Sequence, residues 1–290
     1  MKFGIHYSLG VCMNPTIDDY VSVATKAEAL GYNSAWLGDH IVIPEKIEST
    51  YPYTPDGSAS FPRRLPFPDT FVLLAAIGAH TTTIQLGTSV IVVPYRNPLP
   101  VAKAVATVDM ATHGRYLFGV GVGWMAEEFE ALGEKFSERG GRTREYLQVM
   151  KAVWQEEAAS FEGKYFSFPD LYAMPLPIQK PHPPIIFGGE SMPALKRVAD
   201  LGDGWQPGPI PVATLRERMG QLKELMAERD RDFSQLSISM LGDVKDLQDN
   251  PGKLAELGEL GVREMVLFMT ALDTDKTLAQ LEEAANAFMS

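Results

Sequence analysis

Residues 84–123 constrain the fold more than any other stretch, because they hold a complete β-α-β unit. Ile84 to Val93 is rich in β-branched residues, lacks polar alternation and stops at Pro94. That pattern predicts a parallel strand covered on both faces. A helix opens after Pro98 with Val101, Ala102, Val105 and Val108 on one face, and His113-Gly114 ends it. The next strand, Tyr116 to Gly123, reads YLFGVGVG. Glycines at 119, 121 and 123 strip one of its faces of side chains. Either something flat approaches that backbone, or the glycines relieve crowding inside a closed barrel.

The same alternation runs through the rest of the chain. Phe3–Tyr7 reads as a buried strand, and Thr16-x-x-Asp19 opens a helix with a capping box. Strand Ser34–Gly38 and a helix from Asp69 to about His80 follow. After Gly123 come a short helix near Met125–Leu132, a basic link at Arg139–Arg144, and a helix with Tyr146, Leu147, Met150, Val153 and Trp154 on one face. Strands at Ile185–Gly188, Gly204–Pro207, Leu236–Leu241 and Met265–Met269 alternate with helices at Pro193–Ala199, Val212–Arg229, Pro251–Leu257 and from Thr274. Eight strand-like segments, each followed by a helix, predict an α/β fold, a (β/α)8 TIM barrel with insertions in its βα loops, as one domain over residues 1–290. The competing doubly wound open sheet is disfavoured because the first βα turn, Ser8 to Pro15, has no G-x-G-x-x-G. Residues 41–68 and 159–183 are the insertions, both aromatic and proline-rich, and are expected to form lids or pocket walls.

A net charge of -11 argues against nucleic acid or an anionic membrane as the main partner. Cys12 is the only cysteine, so no internal disulfide forms and a reducing, cytoplasmic setting is expected. The first ten residues lack a signal-peptide layout, and no apolar run is long enough for a membrane span.

In a TIM barrel the carboxyl ends of the strands carry the chemistry. Here they supply Ser8 and Cys12, then Asp39-His40, Thr88-Ser89-Val90, Gly121-Val122-Gly123-Trp124, Gly188-Gly189-Glu190-Ser191 and Trp205-Gln206. His40 beside Asp39 suits proton transfer near neutral pH, although a lone histidine is more often structural. Asp39 either binds a ring nitrogen or caps a turn. Gly188 to Ser191, between a strand and a helix start, makes either an anion cradle of backbone N–H groups or an ordinary capped turn. His6, His40, His80, His113 and His182 are scattered without ligand-type spacing, so no metal site is expected. No G-x-S-x-G elbow is present. A planar, phosphate-bearing cofactor suits this set of strand ends better than hydrolysis does.

Three blocks then carry a resemblance over nearly the whole length: PYRNPLPVAKAVATVDMATHGRYLFGVGVGWMAEEFEALG, the R-x-x-R-x-x-E-Y-L-x-V-M-K-A-V-W helix, and QKPHPPIIFGGESMPALKRVADLGDGWQP. The chain resembles the bacterial-luciferase-like superfamily of flavin and deazaflavin oxidoreductases, whose members are (β/α)8 barrels and commonly homodimers. LGDH at 37–40, GTSV at 87–90 and FGGES at 187–191 look most like the branch that uses coenzyme F420. The resemblance implies that His40 lies beside the reactive ring and that Asp39 binds the coenzyme. It further implies a non-proline cis peptide at Ser89-Val90 against the ring, with Gly121, Gly123, Gly188, Gly189, Glu190 and Ser191 lining the ring or binding phosphate. Cys12, Trp124 and Trp205 are expected around a pocket for a small organic substrate. Trp124 stands where the sugar-phosphate dehydrogenases of the branch carry an acid, so their substrate is not implied. FMN, in a monooxygenase using reduced flavin and oxygen, is the alternative cofactor, and a catalytically idle flavin-binding barrel the alternative class.

Overall fold

The computed structural model describes residues 1–7, 15–54, 56–58, 66–271 and 273–289. Eight staves of parallel strand close into a barrel: β1 (Lys2–His6), β2 (Ser34–Leu37), β3 (Gln85–Thr88) continued by β4 (Ile91–Val92), β5 (Tyr116–Gly121), β8 (Ile185–Gly188), β9 (Gly204–Gln206), β10 (Ser237–Gly242) and β11 (Glu264–Phe268). The seam is closed by β1 on β11, with Phe3 opposite Met265 and Ile5 opposite Leu267. The remaining two strands, β6 (Ala159–Glu162) and β7 (Ser167–Leu171), form an antiparallel hairpin within the second insertion.

Helices α1 (Ile17–Ala29), α2 (Thr70–His80), α3 (Pro98–Ala111), α4 (Ala126–Ala131), α5 (Arg139–Gln155), α6 (Met192–Leu201), α7 (Val212–Ala227), α8 (Val244–Asp249), α9 (Lys253–Leu260) and α10 (Thr274–Phe288) connect the staves. Local chemistry starts them where the sequence predicts. Thr16 and Asp19 form a reciprocal capping box on α1, and Asp69 accepts the Val72 N–H at the head of α2. The expected basic link at Arg139–Arg144 is instead the first turns of α5. Its paired glycines read as a break, but continuous helical hydrogen bonding and the docking of Thr143, Tyr146 and Leu147 in the core override their low propensity. The predicted helix over Pro251–Leu257 likewise proves to be the later of two, since Asp243 caps α8 ahead of it.

Outward-facing strand residues such as Ile5, Leu86, Phe118, Phe187, Ile238 and Leu267 pack under the helices in one continuous core. Inside the barrel, Trp36, Ile186 and Val266 form a separate plug with Leu117 and Leu241 against it. Among the described residues no helix is long and apolar enough to cross a membrane.

Candidate active site

The third stave breaks between β3 and β4, and that break organises the carboxyl-terminal rim. The Ser89-Val90 peptide is cis, as the resemblance implied. Ser89 N–H donates to Leu37 O at 2.7 Å, its Oγ donates to Gln206 Oε1 at 2.7 Å, and Gln206 Nε2 donates to Ser239 Oγ at 3.1 Å. His6 Nε2 lies 3.4 Å from Ser89 O, and burial pushes the His6 imidazole down to about 4, which keeps it neutral at neutral pH. The bulge is therefore held from several staves at once.

The glycine-stripped face of β5 accommodates this bulge. A Cβ on Gly119 would lie 2.7 Å from the Thr88 carbonyl carbon and closer to its oxygen, and one on Gly121 would lie 2.5 Å from Val90 Cγ2. At Gly123 it would meet Val92 and Phe129. Against this strand lie the Thr88 backbone and the Val90 and Val92 side chains of the neighbouring stave, so Gly121 and Gly123, expected as cofactor contacts, seat the segment that presents Ser89 and Val90. Crowding within the barrel, the plainer of the two sequence readings, accounts for the stripe.

Asp39 and His40 follow β2 onto the same rim and take different partners. Asp39, 6% exposed, is gripped bidentately by Arg96, with both N···O distances 2.7 Å, and accepts the Val92 N–H at 3.2 Å. This pairing ties the end of β2 to the segment after β4, so Asp39, expected to bind the coenzyme, acts within the chain as a clamp. His40 Nδ1 lies 2.7 Å from Oε2 of Glu128, a carboxylate with 0% exposure. The same Glu128 accepts the N–H groups of Ile41 and Val42 on Oε1, at 2.8 and 3.2 Å, and the Tyr95 hydroxyl on Oε2 at 3.0 Å. Burial, and next the Glu128 charge, push the Tyr95 phenol up, so it stays a donor. The His40 ring also stands edge-on to Phe67, centroids 5.1 Å apart.

The first insertion is fastened as a wall. Glu127 accepts the N–H groups of Glu48 and Ser49 at 2.7 and 2.9 Å, and Ser49 Oγ accepts the Ala126 N–H at 2.9 Å. This brings Tyr51 to 5.0 Å from Trp124 and 5.4 Å from Tyr53, ring centre to ring centre. Trp124 thus stands in an aromatic wall beside the rim. Cys12 lies outside the described residues.

The turn after β8 is a tight one: Gly189 has φ +89°, open to glycine without strain, and Ser191 caps α6. Trp205, expected in the substrate pocket, has 0% exposure and donates its indole N–H to Gly189 O at 2.9 Å. Its strand position points it outward into the helix layer, so it buttresses the turn from behind; Gln206, the next residue, faces the bulge. Glu190, expected to line the ring or bind the phosphate, has a partner within the chain. Its carboxylate accepts the Gly208 N–H at 2.5 Å beside Tyr53, and burial raises its protonation range. The side chain fastens the loop after β9, leaving the backbone of the turn and the Ser191 hydroxyl for an anion.

Two arginines, on α5 and α6, lack carboxylate partners among the described residues. Arg197, six residues beyond Ser191 on α6 and so about 9 Å along the helix axis, has no hydrogen-bond or ion-pair partner among the described residues. Burial, and then the charges of Arg144 and Arg139, lower its proton affinity. Arg139 has a buried Nε without a hydrogen-bond partner. Uncompensated arginines in a protein of net charge -11 are suited to an anionic ligand group.

Residues 1–244 match the family described as luciferase-like monooxygenase. The chain belongs to that family. The luciferase-like chain is 32% identical over 282 residues to an uncharacterized protein of Mycobacterium tuberculosis, covering 97% of this chain and 98% of the relative. It is 29% identical over 191 residues, 64% of this chain and 52% of the relative, to an F420-dependent glucose-6-phosphate dehydrogenase of Amycolatopsis mediterranei. In three dimensions it superposes on the crystal structure of monooxygenase RslO1 from Streptomyces bottropensis with a TM-score of 0.78 at 18% identity, over 100% of this chain and 99% of that one. That likeness is one of fold. As a member of the family the chain is an oxidoreductase of the flavin or deazaflavin type.

Glu128, Tyr95, Arg96 and Arg197 were not singled out from the sequence. A signal existed for Glu128, since an acidic pair in the first turn of the short helix that follows the glycine strand sits where a rim side chain must. None existed for Arg96, whose partner lies 57 residues away in the chain.

Proposed function

We propose that this protein transfers a hydride between deazaflavin coenzyme F420 and a small organic alcohol or carbonyl compound. The observation that carries the reading is the His40–Glu128 pair at the end of β2, a proton-handling group on a buried carboxylate at the rim where the bulge ends. The residues present fit such a coenzyme: Ser89 and Val90 offer a flat backbone surface, the Gly188–Ser191 turn offers N–H donors and a hydroxyl, and Arg139 and Arg197 offer charge for a phosphate. When bound, the coenzyme supplies the two-electron acceptor or donor. His40 handles the proton at the substrate oxygen, the wall of Tyr51, Tyr53 and Trp124 excludes water, and Asp39 with Arg96 holds the two strand ends in place. A cytoplasmic setting is supported by the single cysteine, and a homodimer by the resemblance to the superfamily.

FMN-dependent monooxygenation is the second reading, favoured by the family's own description. Titrating the protein with F420 and with reduced FMN, followed by single-turnover assays of His40→Asn, separates the readings. The expected result is F420 binding that survives His40→Asn while the rate falls roughly 10²- to 10⁴-fold. Tight FMN binding with no F420 affinity supports the monooxygenase, and tight binding with no turnover of any alcohol, aldehyde or enone supports an idle flavin-binding barrel.

A further inference from the structure

We infer that the amino-terminal end of the barrel holds a second binding site, for a small zwitterion that carries an ammonium group and a carboxylate a few bonds apart, as a free α-amino acid does. A pocket of about 920 Å³ opens there, a volume in the range of small-molecule sites. Lys2, Gln85, Ser237 and Glu264, each the first residue of its strand, stand around it, and Leu254 and Ala255 of α9 flank its mouth. Trp36 and Ile186, which belong to the interior plug, close it toward the core. The rim that carries His40 and Ser89 lies at the opposite ends of the strands.

Glu264 is the buried charge of this pocket. It is 8% exposed, and its Oε1 accepts hydrogen bonds from Asn33 Nδ2 and the Ser34 hydroxyl, both at 2.7 Å. Its Oε2 has no hydrogen-bond or ion-pair partner among the described residues and is open to the pocket. Gly4 makes room for the arrangement, since a Cβ there would lie 2.2 Å from Ser34 Oγ and 3.1 Å from Glu264 Oε1. Burial raises the proton affinity of this carboxyl against the pull of its two donors and the Lys2 charge. An ammonium group on Oε2 offsets that desolvation. Asn33 commits its amide hydrogens to Gln85 Oε1, at 3.2 Å, and to Glu264, so its own Oδ1 remains a second acceptor.

The mouth has the opposite sign. Lys2 and Arg263 are exposed there, and neither has an ion-pair partner among the described residues. A simple cation would meet two like charges on entry, and a simple anion would meet the Glu264 carboxylate inside. A molecule with both charges satisfies the wall and the mouth together, with its apolar stem against Trp36, Leu117 and Ile186.

The test needs neither coenzyme nor substrate. The protein is titrated separately with L-norvaline, n-butylammonium and butyrate by calorimetry, and the indole 1H–15N signal of Trp36, assigned through Trp36→Phe, reports the place of binding. That indole N–H donates to Ser34 Oγ at 2.6 Å, the hydroxyl that also meets Glu264, so it senses the site directly. Norvaline should shift the signal and bind roughly 10-fold or more tightly than either singly charged compound. Glu264→Gln keeps an oxygen for Asn33 and Ser34 while turning an amide NH2 into the pocket, so norvaline affinity should fall roughly 10- to 10²-fold. Ala255→Trp fills the mouth from an exposed helix position and should abolish the shift. No shift with any of the three compounds means that the pocket holds water only and overturns the inference. Butylammonium or butyrate binding as tightly as norvaline overturns the zwitterion, and unchanged norvaline affinity in Glu264→Gln overturns the anchor. Should Glu264→Gln fail to fold, an undiminished shift in Ala255→Trp overturns the site by itself.

Discussion

Gly119→Ala tests whether the glycine face of β5 exists to receive the neighbouring stave. The added methyl falls 2.7 Å from the Thr88 carbonyl carbon and nearer to its oxygen. Both atoms belong to strand backbone locked in parallel pairing, Leu86 opposite Tyr116 and Gly87 opposite Leu117, so no side-chain rotation relieves the overlap. Overpacking of this kind costs about 1–3 kcal/mol. Opening the seam also breaks the buried bond from Thr88 Oγ1 to Gly119 O, 2.7 Å long, which adds about 1 kcal/mol. The total loss is about 2–4 kcal/mol. Urea denaturation measures it, with Gly220→Ala as the counterpart: Gly220 lies within α7 with open space where its Cβ would be, so that variant should gain up to about 1 kcal/mol. Displacement of Val90 should also weaken coenzyme binding in Gly119→Ala. If Gly119→Ala unfolds at the parent's urea concentration, the chain does not occupy this face and the account of the glycine stripe is wrong.

Acid should weaken the fold through His6. Its imidazole titrates at about 4 in the folded protein, below the ordinary value of about 6.5, so the unfolded chain takes up the proton first; stability is intact above that ordinary value and falls as pH drops toward 4, by about 3 kcal/mol in all. Urea curves at several pH values should lose this slope in His6→Gln, and an identical slope would exclude His6 as its source. Arg96→Leu leaves the Asp39 carboxylate buried without its cation and should cost about 3–5 kcal/mol, read as a lower denaturation midpoint; parent-like stability would mean that the clamp contributes nothing. Trp205→Phe removes the indole donor to Gly189 O, worth about 1 kcal/mol, and leaves a gap beside the turn, so coenzyme affinity should fall severalfold while the fold persists. An unchanged dissociation constant would show that the turn needs no support from behind.

The order of strands and helices was legible in the sequence because each depends on neighbours a few residues apart. Capping by Thr16 and Asp69, the apolar stripe of α3 and the unalternating strand at 84–93 are local facts, and strict alternation over the chain leaves a closed barrel as the simplest outcome. Position at a strand end likewise marked His40, Ser89 and Ser191 as rim residues. What each rim side chain meets was decided only by closure of the barrel. Closure puts Arg96 on Asp39 and Glu128 on His40 across 57 and 88 residues of chain, and it gives the glycines of β5 a neighbouring stave to receive. It also turns Trp205 outward and Gln206 inward, a one-residue difference fixed by the parity of a strand whose register comes from its partners β8 and β10. Spacing in the sequence assigns residues to elements, whereas the pairing of buried charges and the facing of strand residues depend on which staves become neighbours, and that information is nonlocal.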